Sequence, residues 1–141
     1  MPITLYASEG VLSESAASKV FAELTDIFLR HHNLIGNAFM TPNVIGEVTT
    51  IPRGKSFAGG ERAEIAIVEL KVPSFALATP EQKQGFVADA TEAVVRGSQG
   101  RLRRDHVWVN AVYAIDGLWG INGQAFSNDQ LLLSVGQAAA A

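Results

Sequence analysis

Ile65-Ala66-Ile67-Val68-Glu69-Leu70-Lys71-Val72 is the stretch that decides the fold of this chain. Six of its eight side chains are apolar, and four of those six are β-branched isoleucine or valine. Such a run reads as a strand covered on both faces. Thr79-Pro80-Glu81-Gln82 follows a short connection and is a helix start. Threonine caps, proline stands at the first helical position, and glutamine is placed to close a capping box. The helix then carries a stripe at Lys83, Phe86, Val87, Ala90, Ala93, Val94 and Gly97. A second strand, His106 to Ile115, leads into the glycine-rich turn Asp116-Gly117-Leu118-Trp119-Gly120-Ile121-Asn122-Gly123. The order is strand, helix, strand, turn.

The same order is written once before. Ile3 to Ser8 reads as a strand with Pro2 in front of it, a place where a sheet tolerates proline. Ser13 is an N-cap type with Glu14 in the first turn, where a carboxylate complements the helix dipole. Ala17, Val20, Phe21, Leu24, Ile27 and Phe28 form the apolar stripe, and the spacing ends the helix near His32. From Ala17 to Lys83 and from Phe28 to Val94 the displacement is 66 residues. Leu24-Thr25-Asp26 falls on Ala90-Thr91-Glu92. After the turn Thr41-Pro42-Asn43, Val44 to Ile51 reads as a strand interrupted by Gly46, displaced by about 63 residues from the His106 strand. Pro52 to Gly60 is a loop rich in turn residues, and Gly59-Gly60 is a turn device in it, not a phosphate cradle.

A tandem β-α-β duplication predicts an α/β fold, specifically an α+β two-layer sandwich. Its sheet has four strands, mainly parallel, with both helices on one face. One domain covers 1–126, built from units 2–60 and 64–126, and 127–141 is a C-terminal tail whose Gln137 to Ala141 is low-complexity and expected to fray. The sheet face without helices is left bare and calls for a partner, so a homo-oligomer is expected.

Composition narrows the function classes. The chain has 141 residues, 48% of them hydrophobic and 18% charged, with a net charge of −3. That excludes disorder, and the longest basic run, Arg101-Leu102-Arg103-Arg104, is too small for a nucleic-acid footprint. Cysteine is absent, which removes disulfides and thiolate metal sites and fits a reducing compartment. No apolar run reaches the roughly 18 residues of a membrane helix. The expectation is a cytoplasmic protein with no cofactor, no metal, no nucleic-acid partner and no membrane partner.

Met1-Pro2 adds chemistry. Initiator methionine is commonly trimmed before a small residue. Trimming here leaves Pro2 with a free secondary amine at the start of a rigid strand. Such an amine serves as a general base when an apolar pocket or a nearby cation pulls its pKa toward neutrality.

Pro2 before the first strand, the doubled β-α-β unit and the glycine-rich aromatic turns together resemble the tautomerase superfamily. The second half is similar to a small 4-oxalocrotonate tautomerase subunit, through Pro80-Glu81-Gln82-Lys83, Val107-Trp108-Val109 and Gly117-Leu118-Trp119-Gly120-Ile121-Asn122-Gly123. The first half repeats the pattern with Pro2, Glu9-Gly10 and Phe57-Ala58-Gly59-Gly60-Glu61. The doubled length resembles the fused members, among them the cis-3-chloroacrylic acid dehalogenase, malonate semialdehyde decarboxylase and carboxymethyl-hydroxymuconate isomerase groups. The resemblance implies a homotrimer, and it implies Pro2 as the catalytic base of a tautomerase or isomerase. Only the first unit offers such a proline. By the 66-residue displacement, Val68 stands in its place in the second. The chain also departs from the family pattern. Val11 stands where small tautomerases have an arginine, and Ile45 and Trp108 stand where they have another. Lys71-Val72-Pro73-Ser74-Phe75 carries one lysine and no arginine. Phe28 lies near the place of a histidine in dehalogenase-like members, with His31 and His32 beyond it.

The residues assigned to the site are therefore Pro2 as base, Lys71 and Arg62 (with Arg53 weighed beside them) as cations for a substrate carboxylate, Tyr113 as a donor to an enolate oxygen, and Trp119 and Phe57 as aromatic walls. Arginine suits a carboxylate better than lysine. Tyr113 and Asn110 lie three apart on one strand, so at most one faces a given pocket. His31 and His32 suit a helix C-terminus. The substrate expected is a small carbonyl acid of the 2-hydroxymuconate or phenylpyruvate enol type. Two other uses of the fold stay open: a non-catalytic trimeric binding or scaffold protein, and a cofactor-free decarboxylase or hydratase. If Pro2 is the base, it should line a pocket with an aromatic and a cation, across a subunit boundary.

Overall fold

Two helices of equal length organise the chain. In the computed structural model, which describes residues 1–140, α1 runs Glu14–His31 and α2 runs Pro80–Gly97. The Ser13 hydroxyl accepts the Ala16 N–H at 3.1 Å and caps α1. Thr79 and Gln82 close the capping box of α2, each accepting the other's backbone N–H at 3.2 Å. These satisfy donors that a helix start otherwise leaves to water.

The strands are β1 Pro2–Ser8, β2 Ile45–Ile51, β5 Ala66–Pro73 and β6 Val107–Ala114, and they form one sheet in the order β2-β1-β5-β6. β1 and β2 are parallel, β5 and β6 are parallel, and β1 meets β5 antiparallel along the central seam. Two-stranded hairpins follow each unit: β3 Phe57–Ala58 with β4 Glu61–Arg62, and β7 Trp119–Ile121 with β8 Gln124–Phe126. The stretch expected as a loop after the first unit thus includes a hairpin. Its turn, Gly59-Gly60, and the matching Asn122-Gly123 both have positive φ, as a two-residue hairpin turn requires.

The core lies between the sheet and the two helices. Ile3, Leu5 and Ala7 of β1 and Ala66, Val68, Leu70 and Val72 of β5 pack on Val20, Leu24, Ile27 and Phe28 of α1 and Phe86, Ala90, Ala93 and Val94 of α2. The apolar positions packed against the helices are odd in β1 and even in β5. An even displacement cannot relate two such strands, because side chains alternate faces. The strand ends Ser8 and Pro73 are 65 residues apart, whereas the helix starts Glu14 and Pro80 are 66 apart. One extra residue in the connection from β5 to α2 makes the difference. The counterpart of Pro2 is therefore Ile67, not Val68, which points into the core.

Gly46 does not weaken β2. A Cβ there would lie 1.8 Å from the Ile3 carbonyl oxygen and 2.8 Å from the Phe21 ring, so glycine is what lets strand and helix approach. The C-terminal stretch expected as a tail carries a helix. Asn128–Ala140 forms α3, with Leu131 buried and the Asn37 side-chain amide donating to the Val135 carbonyl at 3.0 Å. Ala141 lies outside the described residues. No described helix is long and apolar enough to cross a membrane, and the described residues hold no cluster of His, Cys, Asp or Glu fit for a metal.

Candidate active site

The antiparallel seam decides what stands near Pro2. It sets the start of β1 beside the end of β5, so the hairpin that follows the second unit closes over the start of the first. A cleft of about 540 Å³ results, lined by Pro2, Lys71, Tyr113 and Trp119 together with Met1, Asn43, Ile45, Val112, Leu118, Ile121 and Asn122 among others. Four of the six residues assigned from sequence meet there, although they come from both ends of the chain. One chain supplies a cation and aromatics that line the cleft with Pro2. Asn110 is not among the lining residues.

Arg62 and Phe57 are elsewhere. They face each other across the first hairpin, which follows β2 and so sits at the opposite end of the sheet. Arg62 lines a separate hollow of about 170 Å³ with Arg53, Glu9, Ser8 and Ser56. Within one chain neither reaches the Pro2 cleft. Sequence reading treated the two aromatic turns as equivalent, and the swap of each hairpin onto the other unit is a tertiary effect with no local signal.

The walls of the cleft are largely apolar. Lys71 brings its one basic side chain, whose ammonium lies 3.9 Å from the Glu69 carboxylate in a loose, exposed pair. Asn43 and Asn122 were not singled out from sequence. Asn43 lies in the 3₁₀ turn Thr41–Asn43, and its carbonyl accepts a hydrogen bond from the Met1 ammonium. Asn122 holds the left-handed position of the hairpin turn, a conformation asparagine tolerates and which could have flagged it.

Met1 is buried, with 6% of its surface exposed, and its side chain joins the core. Its carbonyl accepts the Ile45 N–H at 3.3 Å, which continues the β1–β2 pairing one residue outward. Burial pulls the Met1 ammonium from its ordinary 8.0 down to about 6, because a charge there loses its water. While Met1 is in place, the Pro2 nitrogen is an amide with no basic lone pair.

The histidines have structural partners. His31 pairs with Asp89 at 2.8 Å, and Arg30 reaches the same oxygen at 3.1 Å; these contacts, His31 first, hold the Asp89 carboxyl below its ordinary range. His32 accepts the Leu77 N–H on Nε2 at 3.0 Å, so its Nδ1 carries the proton and donates to the Phe28 carbonyl at 2.8 Å. It is a neutral, half-buried brace whose pKa burial lowers, not a cation at a helix end. His106 bonds the Glu64 carbonyl at 2.9 Å and stacks on Trp108.

No protein-family model matches the sequence, and no curated protein matches it. Solved structures match the fold. A fused 4-OT, described as a wild-type symmetric trimer, shares 16% identity with a TM-score of 0.74, covering 93% of this chain and 98% of that one. N1, a member of the cis-3-chloroacrylic acid dehalogenase family, shares 15% identity at a TM-score of 0.71, covering 94% of this chain and 90% of that one. The FG41 malonate semialdehyde decarboxylase, inhibited by 3-bromopropiolate, shares 13% at 0.66, covering 86% and 89%. The chain has the fold of the tautomerase superfamily, in its fused, double-length form.

Proposed function

We propose that this protein is a tautomerase or isomerase in which Pro2, freed by removal of Met1, acts as general base on a small carbonyl acid. The observation that carries this reading is the gathering of Pro2, Lys71, Tyr113 and Trp119 in one apolar-walled cleft. The amine takes a proton from one position of the substrate and returns it to another, a keto–enol or 1,3-proton shift. For this it must be neutral at working pH. The burial that brings the Met1 ammonium to about 6 supports such a shift at this end of β1. Lys71 holds the substrate carboxylate, Tyr113 donates to the developing enolate oxygen, and Trp119 walls the site from water. One lysine and a mainly apolar lining favour a monocarboxylate with an apolar arm, of the phenylpyruvate enol type, over a dicarboxylate.

The bare sheet face supports assembly. Ile45, Trp108 and Val112 are exposed on β2 and β6 at 57%, 43% and 50%. With the likeness to a trimeric fused 4-OT, this favours a homotrimer.

Cleavable fusions that leave either Pro2 or Met1 as the first residue test the base. The Pro2-first chain should ketonise phenylpyruvate enol. The Met1-first chain should fall by about 10²-fold or more, as should Pro2→Ala, which trades the rigid secondary amine for a flexible primary one. Equal activity in both forms overturns the reading. The absence of arginine from the cleft favours a second reading, a non-catalytic binding protein of the same fold, for which neither form would turn over. The likeness to the malonate semialdehyde decarboxylase favours a third, cofactor-free decarboxylation or the related hydration at the same amine. Carbon dioxide release from a 3-oxo acid separates decarboxylation from proton transfer.

A further inference from the structure

Met1 lines two cavities. One is the Pro2 cleft. The other is a chamber of about 230 Å³ on the helix side of the sheet, lined by Phe28, Met40, Phe75, Leu131 and Val135, with His32 among its polar groups. Alternation along β1 explains the double role. Odd positions of β1 face the helices, so the Met1 side chain enters the core in line with Ile3 and Leu5. Its amine and backbone, at the strand end, border the cleft, where the ammonium is tied to the Asn43 carbonyl. One residue thus stands between the cleft and a mainly apolar cavity.

We propose that Met1 is a plug, and that its removal joins the chamber to the cleft as a binding channel for the apolar arm of a carbonyl acid. This rests on the proposed function for the carboxylate end and extends it to the far end of the ligand. The chamber walls are side chains of Phe, Met, Leu and Val, and such a space favours a hydrocarbon over water. The polar groups at its rim are already engaged: His32 is bonded at both nitrogens, and the Gln82 amide donates to the His31 carbonyl at 2.9 Å. Neither is left to recognise a second carboxylate. The ligand class is therefore an amphiphile with one acid group, its head at Lys71 and its alkyl or aryl arm in the space that Met1 vacates.

The test uses binding alone, so that it stands or falls apart from proton transfer. Straight-chain carboxylates from butanoate to decanoate are titrated calorimetrically into the Pro2-first and Met1-first chains. In the Pro2-first chain, affinity should rise about fourfold for each methylene that enters the channel. In the Met1-first chain it should be flat. Val135→Phe, which adds bulk to the chamber from α3, should flatten the rise in the Pro2-first chain and leave butanoate binding unchanged. A flat series in the Pro2-first chain, or an equal rise in both chains, overturns the channel. Loss of ketonisation with the gradient intact would instead remove the assigned base and keep the channel.

Discussion

Among the single residues, Met1 and Pro2 carry the largest share of the proposed chemistry. They show how a residue's task depends on its neighbour in sequence. Pro2 faces the cleft and Met1 faces the core, so one cut changes a buried thioether and an amide into a free amine. The Met1 ammonium also gives a pH prediction. Its folded pKa of about 6 lies below its ordinary 8.0, so between those values the unfolded chain binds a proton that the folded chain does not. Stability of the Met1-first form is full above about pH 8 and falls as pH drops toward 6, by about 2 kcal/mol. Urea unfolding across that range should show the slope, and acetylating the amine should remove most of it. His32 acts in the same direction lower down, since its pKa is lowered from 6.5 by burial. Position and residue type made Pro2 readable in sequence as a candidate. His32 was not readable, because its partners Leu77 and Phe28 are assembled by the packing of the β5–α2 connection on α1.

At the level of elements, the helix starts and turn residues carried the fold in plain view. Ser13, the Thr79–Gln82 box, Gly59-Gly60 and Asn122-Gly123 act through their own backbone, so sequence alone exposes them. Properties that depend on distant partners were hidden. The parity of β1 against β5 moved the counterpart of Pro2 from Val68 to Ile67, and Gly46 read as a flaw until Ile3 and Phe21 stood over it. α3 was missed for the same reason. Its composition is unremarkable beside a run of alanines, and what seats it is burial of Leu131 and the Asn37–Val135 hydrogen bond. Leu131→Ala should therefore cost about 2–5 kcal/mol, as a large-to-small change in a packed site does. Thermal melting of the two chains checks this, and a loss under 1 kcal/mol would mean that α3 is only loosely seated.

For the whole molecule, the sheet has one covered face and one open face. The open face carries Ile45, Trp108 and Val112, and on the trimer proposal these lie between subunits. Trp108→Glu places a charge in that interface and should shift the protein toward monomer. Sedimentation velocity checks it: a wild type that already runs as a monomer removes the trimer from consideration. The bare face was foreseeable from two crossovers of one hand, and a homo-oligomer was the expected cover.

The swapped hairpins have one more consequence, for how the two copies age. A chain has one amino terminus however often its gene is doubled. The second hairpin closes over that terminus, while the first, with Phe57 paired to Arg62, borders a hollow lined by Ser8, Glu9 and Glu64 at the other end of the sheet. The doubled unit thus has two hairpin shelters, and on the proposed function only one of them holds a reactive group. On the proposed function, substitutions around Trp119 and Tyr113 answer to chemistry, and substitutions around Phe57 and Arg62 answer to folding and assembly. The second shelter is the part of this architecture with room to drift, and the natural place for evolution, or an engineer, to install a site of a different kind.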